Sequence, residues 1–376
     1  MKLVHLSDLH AGKTLGKVSR NEDLSYALEQ VLRFCDENSP DLLLIAGDVF
    51  DKPNPDNESK ELIFDFFLRL RDTKTLAVII SGNHDSYDFM KSIKGLSRLA
   101  HVHIYDRPGR DGNVYEWGDL KVACLPYPSE RVLTSAGLGS RRNYAELVGK
   151  FISAMAQKVK DARHKILLAH IFVAGASYSN TERRATITEH YAVLPSSLSE
   201  VFDYVALGHV HRYQRVENAP TCAYYTGTPY QLDFSEAGDR KFFNFVILED
   251  GTPKVEAVEL SLKRPLKEFR LSREEAILRL EEIKNTPGLL KLVLKVKDGT
   301  GLPRLRDRLV EEVGERLVRI EIEREVKKGD LYPWKCADLS PVELYREYCK
   351  TVYGADPPSD VEKKFSQLLA EAGWDV

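Results

Sequence analysis

Ala77-Val78-Ile79-Ile80-Ser81-Gly82-Asn83-His84-Asp85 is an apolar run that stops in one glycine and three polar side chains. A strand that ends so abruptly is not closing a core. It presents side chains at its end, where a rigid scaffold can hold chemistry. Asn, Gly and Asp also build ordinary turns, so the reading depends on whether other strand ends supply groups that meet this one.

Four others do. A first strand, residues 2–7, ends in Asp8-Leu9-His10-Ala11-Gly12. The continuous apolar run 42–46 suits a strand buried on both faces and stops at Gly47-Asp48-Val49-Phe50-Asp51. Residues 166–169 end at His170, and 204–207 end in Gly208-His209-Val210-His211. Asp8/His10 and His209/His211 are spaced i, i+2, which in extended chain points both side chains the same way. Gly47, Gly82 and Gly208 precede three of the groups and let the backbone turn sharply and approach a ligand closely. With His84 set aside, Asp8, His10, Asp48, Asn83, His170, His209 and His211 offer four imidazoles, two carboxylates and one amide oxygen. Such N and O donors suit Mn, Fe and Zn. Seven donors are too many for one ion with an open position, and they fit two ions sharing a carboxylate, the arrangement that clamps a phosphoryl displacement. Asp48 is the candidate for the shared group, since the others divide evenly around it. His84 is then left to donate a proton to the leaving oxygen or to stabilise developing charge. Any one of these histidines alone is more often an ordinary surface or core residue. His101-Val102-His103 is an internal control: an H-x-H pair with no glycine and no apolar run before it, read as one face of a strand.

Composition limits the alternatives. The chain has 376 residues, 43% hydrophobic and 30% charged, enough for a sizeable core and more than one domain. No apolar run approaches the roughly 20 residues of a membrane span, and the N-terminus shows no signal-peptide pattern. Five scattered cysteines, never in C-x-x-C spacing, argue for a reducing, cytoplasmic setting without disulfides or a thiolate zinc site. The net charge of −3 means that a polyanion would be met by local positive charge or by metal. Lys13, Arg20 and Arg183-Arg184 are candidates for phosphate contacts, and 135–142 reads as a mobile Gly/Ser-rich loop.

Helical spacing marks residues 22–36, 59–71, 89–99 and 144–160 as helices. The second carries Leu62, Ile63, Phe64, Phe66, Phe67, Leu68 and Leu70, so it is either fully buried or also packs on a second subunit. Strands are expected at 102–105 and 120–125, with a closing hairpin over 242–248 and 255–260. Near Lys263 the glycine-punctuated strand ends cease. A strand-helix-strand-helix-strand unit follows, with Ser272 and Glu275 as a capping box opening a helix to residue 284. After the 327–334 linker come two amphipathic helices, 341–353 and 359–372, which either dock back or bind a partner. This divides the chain into 1–262, 263–327 and 328–376.

The five blocks Ser7-Asp8-Leu9-His10, Gly47-Asp48-Val49-Phe50-Asp51, Gly82-Asn83-His84-Asp85, His170 and Gly208-His209-Val210-His211, in this order, resemble the calcineurin-like metallophosphoesterase signature. The continuation Tyr225-Thr226-Gly227-Thr228-Pro229 and Leu232-Asp233-Phe234, with the small domain and terminal helix pair, is similar to the SbcD-type DNA double-strand-break repair nucleases. Leu9 departs from the Trp common in the family, at a position that is not a ligand. The resemblance implies an α/β (α+β) fold of four layers, a metallophosphoesterase β-sandwich flanked by helices, plus a small α/β capping domain and C-terminal helices. It implies one Mn2+ held by Asp8, His10, Asp48 and His211 and another by Asp48, Asn83, His170 and His209, with His84 catalytic; Mg2+, Fe and Zn are the alternative metals. It further implies a 3′-5′ double-strand exonuclease and single-strand endonuclease acting on DNA in repair and recombination. The partners implied are a second copy of the chain, through helices such as 59–71, and an SbcC-type ABC/SMC-like ATPase bound by the C-terminal helices.

Two other readings stand beside this one. A phosphatase or cyclic-nucleotide phosphodiesterase would use the same metal site but would need no small domain or terminal helix pair. A non-catalytic scaffold would have lost donors, and none of the seven, nor His84, is missing.

Overall fold

The computed structural model describes residues 1–109, 112–135, 144–179, 181–182, 188–249, 252–296, 302–324, 339–353 and 356–371. The expected loop at 136–142, Arg183-Arg184 and the 327–334 linker lie outside them.

In chain order the strands are β1 (Lys2–Leu6), β2 (Thr14–Leu15), β3 (Val18–Ser19), β4 (Leu42–Ile45), β5 (Leu76–Ile80), β6 (Val102–Tyr105), β7 (Asn113–Trp117), β8 (Leu120–Leu125), β9 (His164–His170), β10 (Tyr204–Gly208), β11 (Gln214–Arg215), β12 (Cys222–Tyr225), β13 (Lys241–Ile247), β14 (Lys254–Leu260), β15 (Leu266–Ser272), β16 (Leu289–Val296) and β17 (Leu317–Arg324). The helices are α1 (Asn21–Asn38), α2 (Asn57–Asp72), α3 (Tyr87–Ser97), α4 (Glu130–Ser135), α5 (Tyr144–Val159), α6 (Arg273–Leu278), α7 (Leu280–Asn285), α8 (Leu302–Val313), α9 (Pro341–Tyr353) and α10 (Ser359–Glu371).

Two six-stranded sheets face each other, ordered β14-β13-β1-β4-β5-β6 and β11-β12-β10-β9-β8-β7. Strands β1-β4-β5-β6 and β12-β10-β9-β8 run parallel, with β4, β5, β9 and β10 inside the sheets. Such strands are covered on both faces and therefore read as unbroken apolar runs. The period of two is clear in the packing. Leu42 and Leu44 join Val78, Ile80, Val122, Cys124, Ile166, Leu168 and Ala206 between the sheets. Leu43 and Ile45 turn the other way, onto Leu24, Leu28 and Val31 of α1 and Ile63, Phe66 and Phe67 of α2. On the far side, Ala123, Leu167 and Val205 pack on Val148, Ile152 and Met155 of α5. The result is helix, sheet, sheet, helix: the four layers expected.

The hairpin β13-β14 closes the first sheet antiparallel to β1. Strand β7 was not expected; it pairs antiparallel to β8 through the turn at Gly118-Asp119. The small three-stranded sheet β15-β16-β17 belongs to the same compact unit as the two large ones. Ser272 does form a capping box with Glu275, but the helix it opens breaks at Arg279 into α6 and α7. Ala276, Leu280 and Ile283, spaced i, i+4, i+7, are buried on one face. The second compact unit contains α9 and α10, which pack through Tyr345 on Phe365 (ring centroids 4.6 Å apart) and an Arg346–Glu362 ion pair.

Gly208 ends β10 against the end of β4. A Cβ there would lie 1.9 Å from the Ala46 carbonyl oxygen, which is backbone and cannot swing away. Gly208→Ala is expected to force the facing strand ends apart at a cost of about 1–3 kcal/mol. A denaturant midpoint equal to that of the wild type would show that the two ends yield freely.

Candidate metal centre

Parallel strands deliver their C-terminal ends to one edge, where sites are built in open α/β sheets. Here β1, β4 and β5 from one sheet and β9 and β10 from the other end at the same place. Asp8, His10, Asp48 and His209 have φ of 53°, 46°, 48° and 101°, left-handed backbone that costs non-glycine residues energy and gathers at functional sites. The chain holds them there with backbone bonds: Asp8 N to Gly47 O at 3.0 Å and His10 N to Asp48 O at 2.9 Å. Of the three expected turn glycines only Gly47 has positive φ, at 90°. Gly82 is needed for space, since a Cβ would lie 2.1 Å from Asp48 Oδ1.

All seven expected donors come together. The donor atoms of Asp8, His10, Asp48 and His211 lie within 4.8 Å of one another, all buried. Asn83 Oδ1 lies 2.9 Å from His170 Nε2 and 2.7 Å from His209 Nδ1, and those two nitrogens are 3.2 Å apart. Asp48 sits between the groups: its Oδ2 is 3.7 Å from His10 Nε2 and 3.5 Å from His170 Nε2. Its Oδ1 accepts the His84 amide at 2.7 Å.

The placement of protons shows what the cluster can hold. His211 Nδ1 is 2.6 Å from the Thr181 hydroxyl, which is itself 2.6 Å from Glu236 Oε1. The carboxylate only accepts, so Thr181 gives its proton to Glu236 and receives one from His211 Nδ1. His10 Nδ1 faces Asp51 Oδ1 at 3.3 Å. A neutral His211 therefore aims a bare Nε2 lone pair at His10 Nε2, 3.2 Å away. His170 repeats the pattern, because its Nδ1 donates to Ala46 O at 2.8 Å. Lone pairs converging at such distances repel unless a cation lies among them, so the donor set fits divalent metal.

The charges agree. Burial and the neighbouring Asp48 push the Asp8 carboxyl well up. Burial also acts to raise Asp48, but the charges of His170, His84 and His10 outweigh it and hold it at about 2. Burial would lower His10, yet the bond to Asp51 and the charges of Asp48, Asp51 and Asp8 raise it. Burial lowers His170, and lowers His211 well below the usual histidine range. Two adjacent buried carboxylates thus attract positive charge that only one of these three rings supplies.

His84 lies beside the cluster. Its ring packs edge-on to His10 at 4.7 Å, and its Nδ1 meets the Asp51 carbonyl at 2.8 Å. Asp51 itself was not expected to take part. Burial would raise its carboxyl, but the hydrogen bond to His10 and the charges of His10, Lys13 and His84 hold it well below the usual range. Thr181, Glu182 and Glu236 were missed too. Glu182 accepts the His211 amide at 2.9 Å. Tyr127 stacks on His209, with centroids 6.1 Å apart. Thr181, Glu182, Glu236 and Tyr127 stand outside the donor blocks, so the sequence carried no signal for them.

Other expectations are corrected. Arg20 is 1% exposed, paired with Asp23 at 3.1 Å and set over the Tyr230 ring, so it is not available to a phosphate. Lys13 stays at the site, 3.3 Å from Asp51. Of the control pair, only His103 lies in a strand, against Tyr115; His101 precedes β6 with φ 58°. Asp85 ends the Gly-Asn-His-Asp block just before α3, whose N-cap is Ser86. Its carboxylate accepts three buried amides, Gly82 at 2.8 Å, Phe50 at 2.9 Å and Val49 at 3.1 Å, and so ties the β4 and β5 ends together. Asp85→Ala should cost about 1–3 kcal/mol for each amide left unpaired, with Asp85→Asn intermediate. Equal chemical-denaturation midpoints for all three proteins would contradict the clamp.

Comparison with known proteins places this centre. The model of the calcineurin-like phosphoesterases matches residues 1–213. The SbcD subunit of the nuclease SbcCD from Bacillus subtilis (strain 168) is 29% identical over 387 residues, covering 98% of this chain and 98% of its own. Among solved structures, a dimetal phosphatase from Danio rerio is similar with a TM-score of 0.45 and 9% identity, over 70% of this chain and 99% of the other. The family match spans more than half of the chain and contains every one of the converging donors. The chain therefore belongs to the calcineurin-like phosphoesterases and is a hydrolase that uses divalent metal.

Proposed function

We propose that the chain is a Mn2+-dependent DNA nuclease, a 3′-5′ double-strand exonuclease and single-strand endonuclease working with an SbcC-type ATPase. The observation that carries this reading is the extent of the similarity to the bacterial nuclease. It runs over 98% of both chains and so takes in the small sheet and terminal helices beyond residue 213.

In this reading Asp8, His10, Asp48 and His211 hold one ion, and Asp48, Asn83, His170 and His209 the other. Asp48 Oδ2, placed between the two imidazole groups, supports its role as the shared carboxylate. Two bound cations would activate the attacking water and neutralise charge on the phosphate. The protein's own contribution is proton placement. His84 Nδ1 gives its hydrogen to the Asp51 carbonyl, which fixes the ring. Nε2 is then the atom that takes up a second proton and passes it to the departing oxygen as the P–O bond breaks. The small domain would cover DNA over the site, and α9 and α10, which are amphipathic, would bind the ATPase.

A second copy of the chain would pack on α2 and α3. Leu68 and Leu96, 50% and 70% exposed, line a groove of about 200 Å³ with Phe64, Phe67 and Ile93, and Leu99 just beyond α3 is 75% exposed. Contiguous apolar exposure of this kind marks interaction surfaces. Half-exposed Leu68 does not suit a fully buried helix.

End-labelled duplex DNA in Mn2+, with and without the ATPase, tests the activity; hydrolysis of small phosphate esters alone would favour the phosphatase reading. Asp48→Ala should lose both ions and all cleavage, and two ions still bound would sink the bridging role. His84→Ala should keep metal and DNA while slowing cleavage about 10²–10⁴-fold; near-normal turnover would make His84 structural. Leu96→Glu with Leu99→Glu should sediment as a monomer, and a persisting dimer would place that interface elsewhere.

A further inference from the structure

Behind His211, on the side away from the cluster, is a buried polar chain that the metal reading leaves unused. Thr181 Oγ1 lies 2.6 Å from His211 Nδ1 and 2.6 Å from Glu236 Oε1. Glu236 is fully buried. Its other oxygen accepts the Lys241 ammonium at 2.6 Å and the Leu232 amide at 3.2 Å. Lys241, 3% exposed, also donates to Thr228 Oγ1 at 2.9 Å. An ion pair this deep is costly unless each partner is further hydrogen-bonded, and here each is. Glu236 closes a 3-10 turn, Phe234–Glu236. Phe234 on that turn is packed among Leu15, Leu266 and Leu289, under the small sheet. The turn is thus anchored on its apolar side while its carboxylate reaches the back of a metal-facing histidine.

We propose that Thr181 and Glu236 are positioning residues that fix His211 with its proton on Nδ1 and its Nε2 lone pair directed into the donor cluster. The direction of each proton follows from the chemistry. Glu236 accepts from Thr181, so Thr181 accepts from His211. A neutral His211 then has no hydrogen on Nε2 and is in the only neutral form that can bind a cation there. Without this chain the ring could take the other tautomer, with Nε2–H, which cannot ligate. Groups that orient a ligating histidine in this way typically contribute 10–100-fold in metal affinity. The inference rests on the two-metal reading and extends it to residues that touch no metal.

Calorimetric titration of the metal-free full-length protein with Mn2+ tests it. Wild type is expected to bind two ions. Thr181→Val, which keeps shape but removes the hydroxyl, should weaken one of them about 10–100-fold and leave the other unchanged. Thr181→Ser should restore the wild-type affinity. Glu236→Gln, whose amide donates to Thr181 and so reverses the chain, should move the His211 proton to Nε2, seen in long-range 1H–15N correlations of 15N-histidine-labelled protein. Wild-type affinity at both sites in Thr181→Val, or no recovery in Thr181→Ser, would overturn the relay. A wild type that binds fewer than two ions would instead overturn the two-metal reading.

Discussion

Among the bonds that join the facing sheets where the chemistry lies, two set the donors. His170 Nδ1, at the end of β9, donates to Ala46 O just beyond β4 at 2.8 Å. The Asp8 carboxylate, just beyond β1, accepts the His209 amide at 3.1 Å. Each spans the gap between sheets, and each sets a donor: the first decides which nitrogen of His170 is bare, the second aims Asp8. Gly82 and Gly208 make that closeness sterically attainable, and the left-handed turns at Asp8, His10 and Asp48 bring the side chains round to the shared edge. The rest of the sandwich, with its alternating leucines and valines, is the support that keeps these strained turns in place.

Electrostatics follow from the same geometry. Asp8 and Asp48 are fully buried beside one another, which water would not favour. Imidazoles at 3.5–3.7 Å compensate only in part. The outer nitrogens of His170 and His211 are committed to Ala46 and Thr181, so their inner ones offer lone pairs and not hydrogens. An edge of buried carboxylates and converging lone pairs is suited to divalent ions, and to the anionic esters those ions attract.

Much of this was legible in the residues. An apolar run ending in Gly-Asp, Gly-Asn-His or Gly-His-x-His announces both a buried parallel strand and a polar group at its end, because the same few residues carry both signals. The four layers and the family resemblance agree with the structure and with the comparisons, and the seven expected donors lie at one edge of the sheets. What stayed hidden has a common physical cause. Asp85 stands in a donor block, yet its three amide partners are set by the fold, so its clamp could not be told from a cap. Glu236 lies 25 residues past His211 and reaches it only through Thr181 and a packed turn. Arg20 looked like a phosphate ligand because charge on a sequence says nothing of burial. The turn at Arg279 leaves the spacing of Ala276, Leu280 and Ile283 unbroken, so helical spacing does not record it.

The donors are divided unevenly along the chain. Asp8, His10, Asp48 and Asn83 follow strands of the first sheet, His170, His209 and His211 those of the second, and the first sheet is completed only by β13 and β14. The Asp8–His209 bond alone closes a loop of 201 residues. Contacts so distant in sequence form late, after the loop-closure entropy has been met. During synthesis the cluster cannot assemble until residues beyond 211 have been made, and the sheet that supports it is not whole until about residue 260. The polypeptide is therefore chemically silent for most of its own translation, and its hydrolytic capacity switches on only with the completed sandwich.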